Sequence, residues 1–326
     1  MEHNELFKNR TDLSVFQDKI NRLRNEVRKV LVGQNKMVDF FINAILSDGH
    51  ILIEGVPGIA KTLTAKLIAR SLSVKFSRIQ FTPDLMPSDI LGTTVFNSHK
   101  AVFEFNRGAI FSNIILIDEI NRAPAKTQSA LFEVMEERQV TIDGKTYEMD
   151  FPFLVFATQN PIEHEGTYRL PEAQLDRFIF KINITYPTFE EENEILINLI
   201  NRQSSNETEQ INPVLNVEDI REFREIVKQI YIEPNLIRYI SEIIQKTRNH
   251  PSLYLGASPR ASIFVLTSGK AHAAMNGRDF VTPQDIQSVL VPVLNHRIYL
   301  TPEKELEGIT PGQVISDIIR AVEIPK

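Results

Sequence analysis

Five short apolar runs dominate the first 186 residues, and they limit the fold more than any other feature of the chain. "ILIEGV" begins at Ile51, "FSRIQF" at Phe76, "IILIDEI" at Ile114, "FLVFATQN" at Phe153 and "FIFKINITY" at Phe178. Three of them are nearly continuous rather than alternating, the pattern of central strands in a parallel sheet covered on both faces. Helical stripes lie between several of them. Leu63, Leu67, Ile68 and Leu72 share one face of "AKTLTAKLIARSL", and Ala130, Leu131, Val134 and Met135 share one face of "KTQSALFEVMEE". Strands alternating with helices predict an α/β layer fold. Two hairpins interrupt the alternation. "TVFNSHKAVFEFN" reads as two strands around a polar turn, and "QVTIDGKTYEM" carries the favoured two-residue turn Asp143-Gly144.

The pattern changes after Tyr186-Pro187, beyond which only helices are legible. Thr188 and Glu191 form a capping box ahead of "ILINLI". A polar connection, "NRQSSNETEQINP", precedes the amphipathic stretches "VEDIREFREIVKQI" and "PNLIRYISEIIQKTR". Ser258-Pro259 and Thr282-Pro283 each set a good N-cap before a proline at the first helical position. At 326 residues the chain is long enough for about two domains. The division predicted is an α/β core over 1–187, with an N-terminal helix and both hairpins, and a helical domain with a C-terminal tail over 188–326.

The first run leads directly into "GVPGIAKT", Gly55 to Thr62, which meets seven of the eight positions of the phosphate-loop pattern G-x-x-x-x-G-K-[ST]. A buried strand, a small-residue turn and a helix start are the context such a loop needs. The backbone from Gly55 through Val56, Pro57, Gly58, Ile59 and Ala60 can wrap the phosphates with its N–H groups (Pro57 has none), and the helix N-terminus adds partial positive charge. Lys61 then reaches the β and γ phosphates, Thr62 holds Mg2+, and Leu63 continues the helix. Ala60 stands where the pattern has glycine. Its position at the helix start predicts right-handed helical backbone, where alanine is at ease. A strand-to-helix turn with a chance lysine would look the same over these eight residues alone.

A second half-site ends another buried strand. In "IILIDEI", Asp118 is placed to hold Mg2+ through water and Glu119 to act as general base; two carboxylates at a solvated strand end are the plainer alternative. "FLVFATQNP" ends with Asn160, which either orients the attacking water or simply forms the turn before Pro161.

Taken together, "GVPGIAKT", "DEINRAPAKTQSALFEVMEE", "ATQNP", "LPEAQLDRF" and "GASPRA" resemble the MoxR family of AAA+ ATPases, in the order Walker A, Walker B, sensor 1, arginine finger and sensor 2. The resemblance covers nearly the whole chain, and the family's own loop carries alanine before the lysine. It implies an AAA+ P-loop αβα sandwich on a parallel five-stranded sheet with an all-helical lid domain. It also implies ATP and Mg2+ as cofactors and a self-assembled ring, usually a hexamer. Arg177 would reach the nucleotide of a neighbouring subunit, with Arg169 as second candidate, and Arg260 would touch the γ-phosphate of its own. "VLVGQ" resembles the segment lining the adenine, with Val32 and Gly33 as contacts, and Gln80 is a weaker candidate for a switch restraining Glu119.

The function so implied is an ATP-hydrolysing chaperone or remodelling ATPase. Its client would be a protein, often with a von Willebrand factor A domain partner, in the maturation of an enzyme complex or metal cofactor. A metal-chelatase ATPase subunit, a nucleic-acid motor of the same branch and a nucleotide-gated scaffold are the alternatives. The net charge of −6 and the few hairpin cations (His99, Lys100, Arg107, Lys145) argue against nucleic acid. No run reaches the roughly 18 apolar residues of a membrane span. The polar N-terminus lacks a signal peptide and the chain has no cysteine, so thiol chemistry is excluded and a reducing, cytoplasmic location is expected.

Overall fold

The computed structural model describes residues 12–56, 58–160, 167–201 and 210–325. In chain order it runs α1 (Ser14–Arg28), α2 (Asn35–Leu46), β1 (His50–Glu54), α3 (Lys61–Ser71), β2 (Phe76–Gln80) and α4 (Pro87–Leu91). The hairpin β3 (Gly92–Asn97) and β4 (Val102–Arg107) follows, then β5 (Ile114–Asp118) and α5 (Ala125–Glu137). A second hairpin, β6 (Gln139–Ile142) and β7 (Lys145–Glu148), precedes β8 (Leu154–Gln159), α6 (Glu172–Leu175), β9 (Phe178–Asn183) and α7 (Phe189–Asn201). The remainder is α8 (Val217–Gln229), α9 (Pro234–Arg248), β10 (Leu253–Leu255), α10 (Pro259–Met275), α11 (Pro283–Leu294), β11 (Tyr299–Leu300), α12 (Pro302–Leu306) and α13 (Pro311–Ala321).

All five apolar runs become the strands of one sheet, in the order β2-β5-β8-β1-β9, and every neighbouring pair is parallel. The reason is burial. β5 is buried at every residue and β8 at all but its last, so neither strand tolerates polar alternation. One face packs on α5 through Leu131, Phe132 and Met135. On the other, Phe41 of α2 meets Phe156 of β8 at 4.4 Å between ring centroids. The register puts Arg78, Leu116, Phe156 and Ile51 in one row across that second face.

Both expected hairpins are present. Asp143 and Gly144 take positive φ (51° and 75°), the backbone of a tight two-residue turn. Although distant in sequence, the hairpins share an aromatic cluster: Phe105 of β4 lies 4.6 Å from Tyr147 of β7 and 5.8 Å from Phe111.

The chain divides into two compact units: one takes residues 24–41 and 48–217, the other residues up to 23, 42–47 and those from 218 onward. The second unit is helical, as the amphipathic patterns predict, with an added two-stranded ribbon of β10 and β11. The caps are as read. Thr282 and Asp285 close a capping box at the start of α11, Pro259 opens α10 behind Ser258, and Thr188 exchanges hydrogen bonds with Glu191 ahead of α7. Asp285 is fully buried. Burial opposes its charge, yet hydrogen bonds from His272, Arg278 and Thr282 hold its carboxyl well below the usual range, fixing α11 to the end of α10.

Candidate functional site

The loop leaving β1 is built by two different uses of small residues. At Gly55 the issue is room: a Cβ there would lie 2.6 Å from the Ile59 side chain and 2.9 Å from the Ile184 carbonyl. At Gly58 it is conformation, since φ is +86° with nothing near the missing Cβ. Ala60 departs from the expected right-handed backbone. It has φ 59° and ψ 21°, left-handed, and caps α3 while its carbonyl accepts from the Thr64 backbone N–H and hydroxyl, both at 2.9 Å. A glycine at this position meets that backbone without strain, whereas alanine carries about 1–2 kcal/mol. Val56 leaves β1 half-buried, Ile59 is buried against the turn, Leu63 lies in the first turn of α3, and Pro57 is outside the described residues.

Lys61 and Thr62 open α3 and point back to the sheet edge. The Lys61 ammonium donates to the Gly55 carbonyl at 2.6 Å. Burial pushes it below its ordinary pKa, against the pull of Asp118, Glu119 and Glu54. The Thr62 hydroxyl lies 3.5 Å from Asp118 Oδ2. Asp118, only 7% exposed, ends β5, and its other oxygen accepts from the Thr158 hydroxyl of β8 at 3.2 Å. Thr158 in turn accepts from the Glu119 N–H at 3.0 Å. Glu119 turns the chain out of the strand with φ 58°, and its carboxylate pairs with Arg122 at 2.8 Å. Thr62, Asp118, Glu119 and Thr158 are therefore one connected cluster at the carboxyl edge of the sheet, and Asn160, buried, lies two residues past Thr158. The oxygens of Thr62 and Asp118 are the hard-oxygen pair that a magnesium ion requires.

Other candidates sit apart from this cluster. Arg177, before β9, donates to the Phe132 carbonyl at 2.6 Å and lies 3.3 Å from Glu136, both on α5. Arg169 is exposed and makes no hydrogen bond or ion pair among the described residues. Arg260 lies in the first turn of α10, in the other compact unit. Val32 and Gly33 lie between α1 and α2. Gly33 has φ +79°, and a Cβ on it would come within 2.5 Å of the Glu191 carboxylate. Gln80 is exposed, pairs in register with Asp118, and makes no hydrogen bond to Glu119 among the described residues.

Three groups here escape a reading of the sequence. Arg78 of β2 donates to Asp118 Oδ2 at 2.6 Å, Thr158 joins both carboxylates' turns, and Arg122 holds Glu119. The only signal for Arg78 is a cation at alternate spacing from Gln80 within the strand-forming run that begins at Phe76.

Residues 50–180 match the family described as ATPase family associated with various cellular activities (AAA), and residues 245–318 match the AAA lid domain. The chain is 45% identical over 299 residues to YeaC of Bacillus subtilis, an overlap of 92% of each. It is 44% identical over 310 residues to the chaperone MoxR1 of Mycobacterium tuberculosis, covering 92% of this chain and 81% of that one. A crystal structure of a protein from Cytophaga hutchinsonii superposes with a TM-score of 0.90 at 46% identity, over 97% of each chain.

Proposed function

The chain belongs to the MoxR family of AAA+ ATPases, and from that premise we propose that it assembles into a ring, takes Mg2+ with its ATP, and uses hydrolysis to remodel a protein client. The observation that carries the nucleotide half is the cluster of Thr62, Asp118, Thr158 and Glu119 beside the left-handed turn at Gly58 and Ala60. Bound Mg·ATP supplies the anhydride bond and the metal charge. Lys61 would exchange the Gly55 carbonyl for phosphate oxygens, and Thr62 and Asp118 would hold the metal. Glu119 takes the proton of the attacking water, with Asn160 orienting that water. Arg260 senses the γ-phosphate within its own subunit. Arg177 completes the site of the neighbouring one, for which it would exchange its partners on α5.

The hairpins support a protein client. Phe96 and Phe103 face each other across β3 and β4, their rings 5.1 Å apart, and are 52% and 73% exposed. Basic groups nearby are already engaged: Lys100 pairs with Glu104 at 2.8 Å, and Arg107 lies over the Phe111 ring. An apolar tip whose Lys100 is paired and whose Arg107 is stacked on a ring suits apolar side chains better than a phosphate backbone. Mycobacterium tuberculosis MoxR1 is named a chaperone, and the same role is proposed here, with an enzyme or complex under maturation as client and a von Willebrand factor A domain protein as co-factor in that work. No described helix is long and apolar enough to cross a membrane.

The test is Glu119→Gln. Turnover should fall by about 10²–10⁴ while ATP binding persists, and the client should co-purify with the trapped variant. A wild type that binds ATP but turns over no faster than Glu119→Gln is a nucleotide-gated scaffold, and the motor reading is then lost.

A further inference from the structure

We propose that Arg78 is the resting counter-ion of Asp118 and must yield that carboxylate when a metal–nucleotide complex binds; this rests on the reading of Asp118 as the metal-side carboxylate. The argument begins with burial. Asp118 is buried, and an ionised carboxylate in that position requires a compensating cation. Its hydroxyl neighbours, Thr62 and Thr158, are neutral. Lys61 feels the charge of Asp118 but only at a distance, its ammonium donating to the Gly55 carbonyl. The cation in contact with Asp118 is Arg78, whose Nε lies 2.6 Å from Oδ2.

That oxygen is the one facing Thr62. Oδ1 belongs to Thr158. A magnesium ion on the Thr62 side, held by Asp118 through water, would draw on Oδ2, so Arg78 and the metal's water shell compete for one oxygen. The register makes this possible. Arg78 lies opposite Leu116, and Gln80 lies opposite Asp118, so the arginine side chain reaches diagonally forward along the same face. β2 is an edge strand and the Arg78 side chain is half-exposed, which leaves it free to swing out when displaced. Glu119 has its own arginine, Arg122, so removing Arg78 perturbs one carboxylate of the pair and leaves the other's restraint in place.

A purely structural ion pair between β2 and β5 would affect melting alone. The competition makes a different demand, on the coupling between metal and nucleotide. The affinity of a fluorescent, non-hydrolysable ATP analogue is measured with Mg2+ and with EDTA. The ratio of the two dissociation constants is the gain due to metal. In Arg78→Gln that gain should rise roughly two- to fivefold, the span of a half-exposed ion pair, while Arg78→Lys, which keeps the charge, stays near wild type. An unchanged or smaller gain in Arg78→Gln overturns the proposal. A wild type that gains nothing from Mg2+ overturns the reading of Asp118 as well, so the two failures are distinct. Should Arg78→Gln not fold, the arginine Nε–H signal that disappears in Arg78→Lys provides the readout. It should shift on adding analogue with Mg2+ and stay in place with analogue in EDTA; no metal-dependent shift refutes the competition.

Discussion

The carboxyl edge of the sheet and the hairpin β3–β4 are built on opposite terms. At the sheet edge the carboxylates of the cluster are answered from within the chain, Asp118 by Arg78 and Glu119 by Arg122, while Lys61 donates to the Gly55 carbonyl. At the hairpin tip, two aromatic rings meet each other and are largely exposed. Charges paired in a resting state must be exchanged when ligand arrives, which favours selectivity for a ligand that brings its own counter-charges. Exposed apolar groups on a ribbon require no such exchange and accept many surfaces. One region of the protein is thus suited to a defined chemistry and the other to a variable partner.

The strongest way to break this comparison is to ask whether the sheet edge suffices by itself. A trans arginine contributes ~10³–10⁵ in rate in nucleotide hydrolases, so Arg177→Ala should lower steady-state ATPase at assembling protein concentrations by that order. Arg177 has partners on α5 to give up, whereas Arg169 is exposed and unpaired among the described residues. If Arg169→Ala abolishes turnover and Arg177→Ala spares it, the finger is the free arginine and Arg177 is a brace for α5.

A milder separation comes from the hairpin. Phe96→Ser with Phe103→Ser removes the aromatic tip. Exposed substitutions usually change stability by less than ~0.5 kcal/mol, so basal ATPase should stay within about twofold. Client-stimulated turnover and client co-purification should be lost. A large fall in basal rate would mean that the tip supports the nucleotide site, and the two regions would no longer be separable.

What the sequence made legible follows the same division. Elements with local codes were readable: continuous apolar runs for the strands, Asp143-Gly144 for its hairpin, and Thr282-Pro283 for the start of α11. The turn between β1 and α3 and the adjacent carboxylates at the end of β5 were readable as positions because each is a contiguous motif. Pairings across the fold were not. Arg78 meets Asp118 diagonally between strands forty residues apart in sequence, and Tyr147 meets Phe105 between separate hairpins. The ribbon of β10 and β11 has three residues and two, too short for any period to show. Nothing local to Gly33 announces the Glu191 carboxylate that crowds it.

Ala60 is the exception among local features, and its expected effect is the smallest. The strand, turn and helix around it lie where the sequence predicts, but α3 begins at Lys61, so Ala60 falls in the turn rather than in the helix. With φ 59°, Ala60 bears left-handed strain that glycine escapes. Glycine also loosens the unfolded chain, by about 0.4–1 kcal/mol. The two terms nearly cancel, so Ala60→Gly should raise stability in urea by less than about 1 kcal/mol and leave ATP affinity close to wild type. A clear loss of stability would mean that residue 60 does not hold the left-handed turn in solution. A gain in stability with weakened ATP binding would show that the methyl keeps the empty loop preformed for phosphate, and that strain at this residue is retained for that purpose.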